Sequence, residues 1–360
     1  MIDVFEMQYE ELLELLSSWG EPSYRADQIW SWIYRSLVVQ ANEMHNLPRE
    51  LRRRLEESLG WQVLWPVDRL LSGDGLTEKV LFHLHDEETI ESVLMRYEER
   101  RTVCVSTQVG CPVGCSFCAT GQSGFKRNLT AGEILAQVLH FARGLAPAGA
   151  PTGEPTGAHI TNVVFMGMGE PLMNYDATWE AIRRLNDHRG FNLGARHFTI
   201  STAGWVPGIR DMAQEKQAVG LGISLHATND ELRNQLVPLN RRYPLAVLTR
   251  ACREYTRKTR RRITFEYALM DGVNDTPAHA KELAELTQGL LRHVNLIPLN
   301  PTSECEYRPS RKDRIERFRR ALEASGVPCT LRISRGVDIQ AGCGQLRARS
   351  RDRTRVEPNS

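Results

Sequence analysis

Apolar positions change their spacing twice along the chain, and the changes divide it into three parts. Up to about residue 60 they recur at helical spacing. Leu12, Leu13, Leu15 and Leu16 form one face, and Tyr24-Arg-Ala-Asp-Gln-Ile-Trp-Ser-Trp-Ile-Tyr34 carries a second, aromatic one. Trp30 and Trp32 within that face are read as core rather than as base-stacking platforms. From Trp61 the period shortens towards two. The run 76–84 follows the turn signal Gly73-Asp-Gly75, and the run 90–95 follows Asp86-Glu87, which predicts antiparallel strands leading into a further strand at 102–106.

Beyond residue 118 apolar runs of strand and helix length alternate. Strands are expected near 160–166, 197–201, 219–225, 263–269, 293–298 and 329–333, and helices near 130–144, 176–187, 207–217, 244–258, 277–290 and 311–324. Such alternation predicts an α/β fold with a parallel sheet of βα units closed into a complete or partial barrel. The resulting organisation is a helical accessory domain at 1–60, a β-extension at 61–100, a barrel core at 101–335, a C-terminal loop at 336–346 and a basic, disordered tail at 347–360. The Pro- and Gly-rich stretch 146–157 reads as a flexible surface insertion without chemistry.

Composition and charge narrow the setting. Hydrophobic residues make up 41% of 360 and charged residues 25%, ordinary values for a soluble protein, and no apolar run reaches membrane-spanning length. The acidic start is unlike a signal peptide, and eight cysteines in a chain this long fit a reducing compartment, so a cytoplasmic location is expected. The net charge of +2 conceals basic knots at Arg49, Arg52, Arg53 and Arg54, at 257–262, and at Arg347, Arg349, Arg351, Arg353 and Arg355. Such knots can neutralise phosphates, but charge alone favours solvated helix faces.

The candidate chemistry is concentrated in Cys111-Pro-Val-Gly-Cys115-Ser-Phe-Cys118. Three cysteines at C-x3-C-x2-C spacing can wrap one inorganic centre, with Gly110, Gly114 and Gly121 easing the turns. An iron–sulfur cluster suits the spacing best. A zinc site would want a second pair of ligands, and free buried thiols are the remaining reading. Barrel function gathers at the C-terminal ends of strands, where Met166-Gly-Met-Gly-Glu-Pro171, Ser201-Thr-Ala-Gly204, Ser224-Leu-His226 and Asn300 fall. Near the end of the chain, Gly342-Cys343-Gly344 sets a sulfur on a loop, and Cys104 precedes the cysteine run on the first barrel strand. Cys252, Cys305 and Cys329 have no partner pattern and read as structural.

These motifs, from Arg25-Ala-Asp-Gln-Ile-Trp30 to Cys343-Gly-Gln-Leu346, resemble the RlmN/Cfr family of radical S-adenosylmethionine enzymes over nearly the whole chain. The resemblance implies a partial TIM-type barrel, with a [4Fe–4S] cluster on Cys111, Cys115 and Cys118. It implies S-adenosylmethionine contacts from Gly169, Glu170, Ser201, Ser224, Leu225, His226 and Asn300. Cys343 would carry a methyl group, Cys104 would later form a disulfide with it, and Glu91 would serve as an acid/base. The implied activity is methylation of adenine C2 in 23S rRNA and tRNA through an S-methylcysteine, at the cost of two cofactor molecules. An electron donor such as flavodoxin or ferredoxin and a monomeric protein go with it. C8 methylation of 23S rRNA, or a non-catalytic, metal-stabilised RNA-binding protein, are the alternatives. Val337, Gln340 and Gly342 depart from the acidic and alanine residues that the resemblance leads one to expect beside Cys343.

Overall fold

A computed structural model describes residues 2–145, 159–302, 305–332 and 335–347. The expected surface insertion at 146–157 and the tail beyond Arg347 lie outside them. Helices α1 (Tyr9–Ser18), α2 (Tyr24–Tyr34) and α3 (Arg49–Ser58) come first, and the two-residue strand Ile2–Asp3 pairs with Leu59–Gly60. Their apolar stripes are buried through Leu12, Leu16, Ile29, Trp30, Ile33, Leu51 and Leu55. Trp30 is core, as its spacing predicts. Trp32 is only half-buried, with its indole N–H donating to Asn46 Oδ1 at 2.5 Å. The helices dock on the barrel through Arg35, which donates to the Gly190 carbonyl at 3.1 Å, and Arg184, which donates to the Glu6 carbonyl at 2.8 Å.

One ten-stranded sheet carries the rest. Strands β1 (Trp65–Leu71), β2 (Thr77–His83) and β3 (Thr89–Arg96) form an antiparallel meander that continues onto β4 (Arg101–Cys104). A small hairpin, β5 (Gln108–Gly110) with β6 (Phe125–Asn128), frames the cysteine run. Then β7 (Asn162–Phe165), β8 (Phe198–Thr202), β9 (Gly220–Ser224), β10 (Ile263–Leu269), β11 (Arg292–Pro298) and β12 (Cys329–Leu331) add in parallel, each next to its predecessor. Among the described residues β12 and β1 remain edges, so the barrel is partial and the meander extends one side. The connecting helices are α4 (Ala131–Leu145), α5 (Tyr175–Asn186), α6 (Val206–Met212), α7 (Asp230–Leu236), α8 (Leu245–Thr259), α9 (Pro277–Leu286) and α10 (Lys312–Ala324). Each expected strand and helix of the alternating region is present. The hairpin β5–β6, the strand β1 and the short helix α7 are additions that apolar periodicity does not mark.

Strand parity explains both faces of the sheet. Leu221, Ile223, Phe265, Tyr267, Val294 and Leu296 alternate along β9, β10 and β11 and are buried in one continuous apolar cluster. The alternate positions Ser201, Ser224, Glu266 and Asn295 are polar, where the interior of a filled barrel would be aliphatic. The inner face therefore leaves room for a polar ligand.

The same topology reassigns the basic knots. Residues 257–262 end α8 and lead into the start of β10, at the opposite end of the barrel from the cysteine run. On α3, Arg53 is salt-bridged to Glu50 and Glu57, and Arg54 stacks on Trp19 at 4.4 Å, so this charge is largely spent within the domain.

Gly110 ends β5 at φ +75°, and a Cβ placed there would lie 1.9 Å from the Gly124 carbonyl oxygen. Gly75 has a similar φ of +71° with open space around it. Gly75→Ala should cost about 1–2 kcal/mol from backbone strain alone, and Gly110→Ala clearly more, because backbone must shift. Urea unfolding of the two variants measures the difference.

Candidate active site

The cysteine run is a loop pinned at several points. Cys111 N–H donates to the Gly124 carbonyl at 2.8 Å, Ser116 N–H to that of Leu236 at 3.1 Å, and Cys118 N–H to that of Cys115 at 3.2 Å. Beneath it lies a small apolar cluster that includes Val113, Phe117, Ala203, Leu236, Met270 and Leu299, against which all three cysteines pack. The three thiols line one cavity of about 160 Å³ at the C-terminal ends of the strands. Burial pushes Cys111 up to about 12 and raises Cys115 and Cys118 as well; Cys111 and Cys115 also feel neighbouring thiols of the run, and Cys118 feels Cys343. As bare thiols they are neutral. A cationic centre would be needed to hold them as thiolates.

Of the strand-end residues expected to touch a cofactor, Gly169, Glu170, Ser201, Ser224, His226 and Asn300 all line the same cavity. Leu225 does not; it is fully buried in the apolar core. Glu170 is 2% exposed and accepts from Ala203 N–H at 2.7 Å and Leu172 N–H at 3.1 Å. Burial nevertheless raises its pKa to about 7. The Ser201 and Ser224 hydroxyls are 3.2 Å apart. His226 sits at φ +61° with Nδ1 accepting from Ala268 N–H at 3.0 Å, and burial drives its pKa down to about 3. The ring is therefore neutral with its proton on Nε2, and the Phe117 ring meets it edge-on at 4.8 Å.

Cys343 arrives over this cavity on a loop that folds back across the strand ends. It is the exposed member of the cysteine set, and its carbonyl accepts from Asn300 Nδ2 at 3.1 Å. Ala119 N–H donates to the Gly344 carbonyl at 2.8 Å, and Gln345 Nε2 to that of Pro301 at 2.7 Å. Cys104, at the end of β4, is buried, which pushes its thiol up to about 12, and the Cys343 sulfur is close enough to add to that rise. The disulfide implied for the pair is not formed: both are free thiols.

Glu91 is placed differently from a solvent-facing acid/base. It is 1% exposed and salt-bridged to Lys79, itself 3% exposed, at 3.0 Å. Its Oε2 accepts from Arg347 N–H at 3.1 Å, and Lys79 Nζ donates to the Gln340 carbonyl at 3.1 Å. This pair on the antiparallel meander thus holds both ends of the Cys343 loop.

Sequence reasoning missed Lys79, the buried Arg233, Glu266 and Arg332. Arg233 donates to the carbonyls of Ala203, Ser224 and Leu225, tying two strand ends together. Arg332 lines the cavity and feels the charge of Cys343 first, then of Glu266, Tyr97 and Cys104. None belongs to a short motif; each becomes visible only when strands from distant parts of the chain are laid side by side.

A partial βα barrel with three cysteines on the loop after its first parallel strand is the architecture of a radical S-adenosylmethionine protein, and the model of that superfamily matches residues 105–287. The ribosomal RNA large subunit methyltransferase N-terminal domain matches residues 2–59. A probable dual-specificity RNA methyltransferase RlmN of Chloroflexus aurantiacus is 48% identical over 352 residues, covering 96% of this chain and 93% of the relative. Ribosomal RNA large subunit methyltransferase N of Nitrosopumilus maritimus is 46% identical over 356 residues, covering 96% and 99%. The crystal structure of a radical SAM methyltransferase from Sphaerobacter thermophilus superposes with a TM-score of 0.92 at 52% identity, covering 96% of this chain and 99% of that one. The chain belongs to the RlmN family of radical S-adenosylmethionine methyltransferases. Its cofactors are accordingly a [4Fe–4S] cluster and S-adenosylmethionine.

Lys79→Met leaves Glu91 buried without its counter-charge and should destabilise the protein by about 3–5 kcal/mol. Lys79→Met combined with Glu91→Gln should recover most of that loss. Denaturant unfolding measures both, and alkylation of Cys343 should speed up in the single variant as its loop loosens.

Proposed function

We propose that this protein is a cytoplasmic methyltransferase that acts on adenine C2 in 23S rRNA and tRNA. The observation that carries the reading is the convergence on one cavity wall of three loop cysteines, an exposed Cys343 and, within electrostatic reach of it, a buried Cys104. Family membership supports C2 over C8, because the curated relatives quoted above carry the RlmN name.

The donor set fits the cofactors. Cys111, Cys115 and Cys118 would hold the cluster, and their number leaves one iron for S-adenosylmethionine. Glu170, with Gly169, would receive the ammonium of the cofactor, and Ser201, Ser224, His226 Nε2–H and Asn300 would meet its remaining polar groups. Leu225 contributes backbone at most, because its side chain faces the core. When bound, and supplied with an electron by a flavodoxin- or ferredoxin-type donor, this pair of cofactors provides an adenosyl radical.

The protein's own groups then handle the carbon. Cys343, exposed on its loop, carries a methyl group taken earlier from a first cofactor molecule. After the methylene carbon has bonded to adenine, the base must lose its C2 proton, and Glu91 is a carboxylate bonded directly to the end of the loop. Glu91 is already engaged by Lys79 and Arg347, so the segment at Arg347 has to withdraw before a proton can be accepted. Cys104 thiolate then attacks Cys343 sulfur. The S–S bond forms, the C–S bond breaks, and the carbon keeps that electron pair and takes up a proton from solvent, so that it leaves as the new methyl group. Burial keeps Cys104 protonated until that moment, which guards Cys343 against premature attack.

Cys104→Ala should load cofactor and react with RNA, then stall with nucleotide attached to the peptide around Cys343. Peptide mass spectrometry after nuclease digestion reads this, and normal turnover by the variant would reject the assignment. Nucleoside mass spectrometry of rRNA and tRNA from cells with and without the protein separates C2 from C8 methylation. Cofactor affinity should also depend on pH. The Glu170 pKa is raised to about 7 in the free site, and an ammonium partner requires the ionised form, so binding must expel a proton below that pH. The apparent Kd should rise by up to about tenfold per pH unit below about 7, and rise again above about 8, where the cofactor's own ammonium deprotonates.

A further inference from the structure

One polar atom in the cavity wall is unused by the reading above. Glu266 stands on β10, 4% exposed, and lines the cavity. Its Oε1 accepts from Asn295 Nδ2 at 3.0 Å on the adjacent strand β11. Its Oε2 is buried and has no hydrogen-bond partner among the described residues. Buried carboxylate oxygens are normally paired, and leaving one bare is unfavourable. Burial raises the pKa of Glu266, an effect that the nearby Arg332 guanidinium partly offsets without hydrogen-bonding to it. An acceptor of this kind calls for a donor that the protein itself does not provide.

The register says where that donor would sit. Ser224 on β9 is level with Glu266, which in turn is level with Asn295 on β11. Ser201 on β8 reaches the same group through the Ser201–Ser224 contact of 3.2 Å. Two hydroxyls and a half-satisfied carboxylate therefore run side by side across three neighbouring strands. Glu170 follows β7, three strands away from Glu266, or about 14 Å along the curved sheet. The two carboxylates must then meet different parts of one cofactor. The ammonium of S-adenosylmethionine belongs with Glu170 and the cysteine loop. Of the donors that remain, the ribose presents two adjacent hydroxyls, which suit a row of adjacent oxygens better than the single amino group of the adenine.

We infer that Glu266 is a further cofactor ligand, which accepts a hydrogen bond from a ribose hydroxyl of S-adenosylmethionine through Oε2 while Asn295 fixes its orientation. The inference rests on the reading that this cavity takes S-adenosylmethionine. Glu266 also becomes a specificity-determining residue, because a buried acceptor penalises any analogue that lacks the hydroxyl.

The test uses the holoenzyme with its cluster reconstituted and kept oxidised, so that no cofactor is cleaved. Calorimetry compares S-adenosylmethionine with its 2′-deoxy and 3′-deoxy analogues on the wild type and on Glu266→Leu. The wild type should bind one of the deoxy analogues roughly ten- to a hundredfold more weakly than the parent cofactor, the range for a hydrogen bond to a charged group. In Glu266→Leu, with iron and sulfide content unchanged, that penalty should shrink to within about threefold. Glu266→Gln, which keeps the shape and loses the charge, should fall between, and it decides the matter if the leucine variant does not fold. Equal wild-type affinity for all three ligands, or a penalty undiminished in the variants, overturns the inference. Failure of the fully loaded wild type to bind S-adenosylmethionine at all would instead overturn the functional reading beneath it.

Discussion

Everything at the site depends on the parity of the parallel strands. A residue and its successor point to opposite faces, so seven strands in one register present one continuous outer surface and one continuous inner surface. The outer surface is aliphatic and aromatic, and burying it under the helices stabilises the fold. The inner surface is consequently free to be polar, and Ser201, Ser224, Glu266 and Asn295 occupy it. A shift of one residue in any of these strands would exchange the two sets and lose both core and cavity.

An open barrel has to be flanked and covered by other means, and the chain does so with segments on either side of the barrel in sequence. The antiparallel meander β1–β3 widens the sheet beyond the first parallel strand, and the loop from Gly336 to Arg347 crosses the opening. Between them stands the buried Lys79–Glu91 pair, bonded to the backbone at Gln340 and Arg347. A buried ion pair adds little net stability, but it is intolerant of misplacement, since either charge alone is costly. It therefore acts as a position marker for the loop that carries Cys343. Glu91 thus has a structural duty, which its ion pair with Lys79 and its bond from Arg347 N–H define.

Electrostatics within the site keeps reactive groups quiet until they are needed. Cys104 and Cys111 are both pushed up to about 12 by burial, Glu170 to about 7, and His226 is held neutral. The thiols are therefore neutral, Glu170 titrates close to neutrality and His226 carries no charge. By contrast, the basic knot on α3 is partly spent within its domain, and the one at 257–262 lies at the far end of the barrel.

Much of this was legible in the amino-acid sequence, because the signals are local. Runs of strand and helix length predict the βα alternation, and three cysteines within eight residues predict an inorganic centre, since both rest on neighbours along the chain. The motif residues Glu170, Ser201, Ser224, His226, Asn300, Cys104 and Cys343 could likewise be singled out before any folding. The sequence could not reveal that Leu225 turns to the core, that residues 257–262 face away from the site, or that Lys79 grips Glu91 across the β2–β3 pairing. Nor could it show that Glu266, the one charged residue of its strand, stands beside Ser224 with an oxygen to spare. These are facts of register between strands far apart in the chain. They are decided by which side chains pack together, and only the tertiary structure holds that information.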